Sequence, residues 1–294
     1  MSYFADMDRA PITAQRCFRS VLPAFAVLAV AALPAAAFER VQIPLPKPEM
    51  SESCPGLIAS DRPRMIPAAF KLAALSADEI RITYVGHSTF LIESPKLVRI
   101  ATDYNDYLRT PVLPDIITMN HAHSTHFTDN PDPRIPHVLR GWASEYGKPV
   151  RHDAQIRDVR VRNVPTNIRD YGGGTERHGN SIFVFEVANL CIAHLGHLHH
   201  TLTQQQLNEI GRVDVVMVPV DGTYTLDLEG MFEVVQALKA PLVIPMHFFS
   251  TFTLERFLSR AREKFTVEYS NTPSVVVSKT TLPAAPKFLV LPGH

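Results

Sequence analysis

The sequence predicts a mixed α/β (α+β) fold, a sandwich of sheets with helices over them. Three observations point there. Short β-branched runs broken by Gly, Ser and Pro fill residues 81–196, and apolar strands alternate with helical spacing after residue 200. The 294 residues are 46% hydrophobic with a formal net charge of zero, a balance that supports a sizeable folded core. Strands first and βαβα units afterwards pack as layers around one core.

The elements follow in order. ITYVG (82–86), TFLIES (89–94), LVRIATD (97–103) and DIITMN (115–120) read as consecutive strands, and RVRNV (160–164), NSIFVFEV (180–187) and LCIAHLG (190–196) extend the β content. QQQLNEIG (204–211) reads as helix and VDVVMVPV (213–220) as a buried strand. LDLEGMFEVVQALKA (226–240) and TLERFLSRAREKF (253–265) have helical spacing, with the strand PLVIPM (241–246) between them.

The N-terminus differs in character. Arg16 and Arg19 precede the apolar stretch VLPAFAVLAVAALPAAAF (21–38), which ends in the small residues Ala35, Ala36 and Ala37. This pattern predicts a signal peptide over 1–37, export to the periplasm or secretion, and no stable membrane insertion after cleavage, with a membrane anchor as the plain alternative. A Pro-rich arm is expected over 38–80 and a single domain over 81–294. Cys54 and Cys191 would remain, and an oxidising compartment permits a bond between them, although Cys191 in an apolar strand suits a buried thiol. Neither a basic run nor a basic excess is present, which argues against nucleic acid as partner and for a small-molecule substrate.

Histidines gather at strand ends. TMNHAHSTHFTD (118–129) places His121, His123 and His126 within six positions, HLGHLHH (194–200) follows a strand, and His247 follows LVIPM. A His-x-His pair on an extended strand end points both rings to one side, which suits a metal; a solvated His-rich loop is the plain alternative. His197 follows Gly196, whose backbone freedom lets the ring turn inward. His194 and His200 fit a surface turn before a helix starting near Thr201 or Thr203. Trp142, Phe248 and Phe249 read as core or rim packing, and Tyr171 with Gly172, Gly173 and Gly174 as a mobile loop or a plain hairpin.

GHSTFLIES (86–94), IATDYN (100–105), HAHSTH (121–126), HLGHLHH and IPMH (244–247), taken in this order, resemble the metallo-β-lactamase fold hydrolases. The resemblance is strongest to the subgroup of ascorbate-6-phosphate lactonase and the N-acyl-phosphatidylethanolamine phospholipase. It implies a four-layer αββα sandwich and a metal site at the sheet edge. Carried over by position, it makes His121, His123, His126 and His247 ligands. Thr125 stands where the motif has Asp, His197 where it has a second Asp, and Asn167 where it has a middle His.

These departures bear on the chemistry. Imidazoles, Thr125 and Asn167 bring no negative charge, so two divalent ions at about 4 Å would repel by several kcal/mol per unit-charge pair. One ion is therefore expected, shared by some four of His121, His123, His126, His197 and His247. Zinc is the default, with iron, copper or nickel compatible. Water activated by that ion would attack an ester, lactone, amide or phosphoester. The alternative is a non-hydrolytic periplasmic metal- or ligand-binding protein that retains the fold. Asp103 is a candidate anchor of the site loop, Asp170 a candidate carboxylate near the metal, and His87 a candidate hydrogen-bonding support for the ligands.

Overall fold

The computed structural model describes residues 74–169 and 172–293. The expected signal peptide, most of the Pro-rich arm, Cys54, Asp170 and Tyr171 lie outside the described residues.

The described chain opens with β1 (Ile80–Gly86), β2 (Thr89–Glu93), β3 (Arg99–Ala101), β4 (Ile116–Met119) and β5 (His137–Arg140). It continues with β6 (Asp153–Ile156), β7 (Val159–Arg169), β8 (Thr175–Val187) and β9 (Leu190–His194). The alternating part is α1 (Gln204–Ile210), β10 (Val215–Pro219), α2 (Leu228–Leu238), β11 (Leu242–Met246) and α3 (Thr251–Ala261), followed by β12 (Thr266–Tyr269), β13 (Ser274–Val277) and β14 (Lys287–Val290).

Two sheets result. One has the order β13-β1-β2-β3-β4-β5 and the other β12-β14-β11-β10-β9-β8-β7-β6. Side-chain alternation assigns the faces. Val215 and Met217 of β10 join Phe183 and Phe185 of β8 against Ile82, Phe90 and Ile100 of the first sheet. Val216 and Val218 point the other way, onto Met231 and Val235 of α2 and Phe257 and Leu258 of α3. All three described helices contribute to this second cluster or pack on it. The free face of the first sheet carries a smaller cluster of Ala101, Tyr104, Ile117, Met119 and Ile135, closed by the loop side chains Phe127 and Trp142. Among the described residues loops, not helices, therefore form that outer layer.

The helices start where their sequences allow. Thr203 caps α1 in a capping box with Gln206, Asp227 caps α2 through Gly230 N–H, and Ser250 caps α3 through Thr253 N–H. Among the described residues no helix is long and apolar enough to cross a membrane. Among the described residues Cys191 has no disulfide partner.

Parallel pairing of β9, β10 and β11 aligns three C-terminal strand ends. His197, Asp221 and His247 leave from those ends, and the turn between β1 and β2 faces them: His247 N–H donates to the His87 carbonyl at 2.7 Å.

Candidate metal centre

Four histidines converge at this edge. One ring nitrogen from each of His87, His123, His126 and His247 lies within 4.8 Å of the others. His197 completes the cluster, its ring 4.7 Å from His126 and 4.8 Å from both His123 and His247.

Three of the rings have a polar side chain behind them. His126 Nδ1 lies 2.6 Å from Asp103 Oδ2 and His247 Nδ1 3.0 Å from Asp221 Oδ1, with all four side chains fully buried. Thr125 Oγ1 is 2.8 Å from His123 Nδ1. Asp103 takes up the anchoring role expected of it: Asn120 Nδ2 donates to its Oδ1 at 2.9 Å. Asp221 binds its own loop as well, Oδ2 accepting from Thr223 N–H at 2.9 Å and Tyr224 N–H at 2.6 Å.

The Nδ1 atoms of His126 and His247 face these two carboxylates, so both Nε2 atoms are turned into the cluster. Yet His126 Nε2 and His247 Nε2 stand only 3.2 Å apart. His123 Nε2 and His197 Nε2 stand 3.0 Å apart. Two imidazoles on one tetrahedral zinc, with bonds of about 2.0–2.1 Å, place their nitrogens about 3.3 Å from each other. The spacing is that of ligands around a cation. Buried His197 Nδ1 and His87 Nε2 also have no hydrogen-bond partner, so the donor set fits a metal ion.

Electrostatics agree with neutral ligands. Burial, and then the neighbouring rings, push His126 and His197 well below the ordinary histidine value and lower His123. Burial together with His247 and His123 takes His87 down to about 3. Burial pushes the Asp221 carboxyl up, but His247, Thr225 and Thr223 N–H outweigh it and hold it well below the usual range. Burial raises Asp103, opposed by His194, Asn120 and Ser88; a cation among the rings would act in that same opposing sense.

Of the five expected ligands, His123, His126, His197 and His247 meet, whereas His121 stands apart. His121 Nδ1 lies 2.7 Å from Glu176 Oε1, and its ring, 42% exposed, stacks on Trp142 at 5.1 Å. The reason is local: β4 ends at Met119, so the alternation that would aim His121 and His123 together is lost before either residue. Asn167 is also outside the cluster, on β7, where its Oδ1 accepts from His178 N–H at 3.1 Å. His87, expected as a support, is one of the converging rings because its φ of 49° turns it over the cluster. His194 donates from Nε2 to the Ser88 carbonyl at 2.8 Å. Asp221, Glu176 and His199 were not singled out by sequence; for Asp221 the available signal was its place directly after a buried strand, like His247.

A cleft of about 370 Å³ opens over the rings, lined by His123, His197, His199, Glu176, Arg169 and Tyr224 among others. The larger groove bounded by Tyr104, Arg109 and Arg134 contains none of the histidines.

Two facing mixed sheets, helices outside and a metal-type histidine cluster at the shared edge define a protein of the metallo-β-lactamase fold. A family model described as the beta-lactamase superfamily domain matches residues 81–247, more than half of the chain, and the chain belongs to that family. It is similar to a UPF0173 metal-dependent hydrolase of Thermoplasma acidophilum, 27% identical over 199 residues that cover 61% of this chain and 87% of the relative. A second UPF0173 metal-dependent hydrolase, from Archaeoglobus fulgidus, is 27% identical over 198 residues, 60% of this chain and 85% of the relative. Among solved structures, a metallo-β-lactamase superfamily protein of Thermotoga maritima has a TM-score of 0.53 at 28% identity, covering 73% of this chain and 100% of that one.

Proposed function

We propose that the protein is an exported metal-dependent hydrolase that cleaves an ester, lactone, amide or phosphoester, with one divalent ion held by His123, His126, His197 and His247. The observation that carries this reading is the 3.2 Å approach of His126 Nε2 and His247 Nε2, each ring backed by a carboxylate. The description of the relatives as metal-dependent hydrolases supports it, as does the likeness of the motif order to the lactonase and phospholipase subgroup.

A divalent ion bound there supplies Lewis acidity and a water that ionises near neutral pH. The chain's own residues do the rest. Asp103 and Asp221 fix the tautomer and direction of His126 and His247 and strengthen them as donors. Thr125, in place of a carboxylate ligand, orients His123 through its hydroxyl. His197 adds a neutral donor, so the ligands offset none of the charge of a second ion and single occupancy is favoured. Zinc fits this donor set; iron, copper and nickel also accept imidazole.

A second reading is favoured by Thr125 and His197 themselves: with both motif carboxylates absent, the site could bind metal without turnover, as a periplasmic binding protein. The full-length chain, analysed for metal content and assayed on chromogenic esters, lactones and phosphodiesters before and after chelation, separates the two. Turnover that chelation removes and metal restores supports the hydrolase. Tight metal binding without turnover supports the binding protein, and failure to bind metal contradicts both.

A further inference from the structure

We propose that Phe249 and Tyr224 form an apolar shelf at the mouth of the histidine cleft, which selects a neutral carboxylic ester, lactone or amide carrying an acyl or aryl group over a phosphoester. This rests on the hydrolase reading for the bond that is cut, though not for the binding of the apolar group.

The two rings are exposed and near the site. Phe249 is 58% and Tyr224 64% exposed, their centroids 5.4 Å apart in an edge-on pair. The Phe249 ring also lies 5.7 Å from His87 and 5.5 Å from His247. Exposed aromatic surface beside a cleft is where an apolar ligand gains most from leaving water.

Both rings stand on fixed backbone. His247 N–H is tied to the His87 carbonyl, Phe248 packs between the two large cores, and Ser250 is already the cap of α3. Phe249 therefore has nowhere inside to go. Tyr224 is held through its N–H by Asp221 and through its carbonyl by Arg169 Nη2 at 3.3 Å. Little ordering remains to be done when a ligand binds.

Apart from the ion, the charged side chains of the cleft do not build a phosphate site. Among the described residues lining the cleft, the formal charges are those of Glu176 and Arg169. Glu176 repels an anion. Arg169 turns its Nη2 onto the carbonyls of Thr223, Tyr224 and Thr225, so that nitrogen is committed to the loop instead of presenting a fork to phosphate. Ala122 and Ile168 supply further apolar wall.

The test uses the full-length chain, metal-stripped and zinc-loaded, with N-octyl dansylamide, a neutral sulfonamide lacking a carboxylic ester, followed by fluorescence. Binding is expected in both forms, weakened about tenfold by Phe249→Ala and by Tyr224→Ala. In parallel, kcat/KM for p-nitrophenyl esters should rise about two- to fourfold per methylene from acetate to octanoate, flatten in Phe249→Ala, and exceed that for bis-p-nitrophenyl phosphate. No dansylamide binding, an affinity in both variants equal to that of the unsubstituted chain, or preference for the phosphodiester overturns the shelf. Dansylamide binding without hydrolysis of any ester, lactone, amide or phosphodiester tried contradicts the hydrolase reading and leaves the shelf standing.

Discussion

Asp221 Oδ1 lies 3.0 Å from His247 Nδ1, and the same carboxylate accepts the N–H groups of Thr223, Tyr224 and Thr225. One buried side chain thus faces a ring of the cluster and shapes the loop at the cleft mouth. Asp221→Asn keeps the size and removes the charge, and should lower metal affinity about 10- to 100-fold. Competition with a chromogenic chelator measures this; unchanged affinity would show that the carboxylate does not support the ligand.

Acid should weaken the metal-free protein in a defined window. Burial, aided by His247 and His123, takes His87 down to about 3, and burial with Arg169 takes His199 down to about 4, against an ordinary value of 6.5. Below pH 6.5 the unfolded chain takes up protons that the folded chain refuses. The stability these groups confer is therefore complete above that value and lost as pH falls toward 4 and 3. At pH 5 each costs about 2 kcal/mol. Urea midpoints of chelated protein should fall between pH 7 and pH 5; a flat profile would mean the rings are not held neutral.

Gly196 turns the chain from β9 toward His197. Its φ is 60°, and an added Cβ would come within 2.4 Å of Asn120 Nδ2 and Asn180 Oδ1. Those two side chains hold Asp103 and the His197 N–H. Gly196→Ala should cost about 2–4 kcal/mol and weaken metal binding as well. Thermal melts of the chelated and loaded forms read both effects, and a melt like that of the wild type would discount the close approach.

Replacing His197 by Asp returns negative charge to the cluster. The expected outcome is a metal stoichiometry rising from one toward two ions per chain, because the added carboxylate offsets part of the repulsion between them. Unchanged stoichiometry in plasma mass spectrometry would remove charge as the reason for single occupancy.

Much of this was legible in the sequence, for physical reasons. β1 to β4 and the βαβα units are written in β-branched runs and helical spacing, and His197 and His247 stand just past the ends of β9 and β11. His121 lies outside the cluster because the period of two that would align it with His123 ends at Met119, with β4. β5, β6, β12 and β13 escaped notice because they are short and lack fully buried alternation. Asn167 reads as a loop residue in the sequence, but β7 continues through Arg169. Asp221 has a local signal in its place directly after the buried strand β10, whereas the convergence of His87 with the other rings depends on approach between the two sheets, which no local pattern records.

Anomalous diffraction at the zinc edge from crystals of the zinc-loaded chain tests the central claim most directly. One strong peak per chain is predicted between His126 Nε2 and His247 Nε2, within bonding distance of His123 and His197. A peak beside His121 and Glu176, or none near the five converging rings, would contradict it.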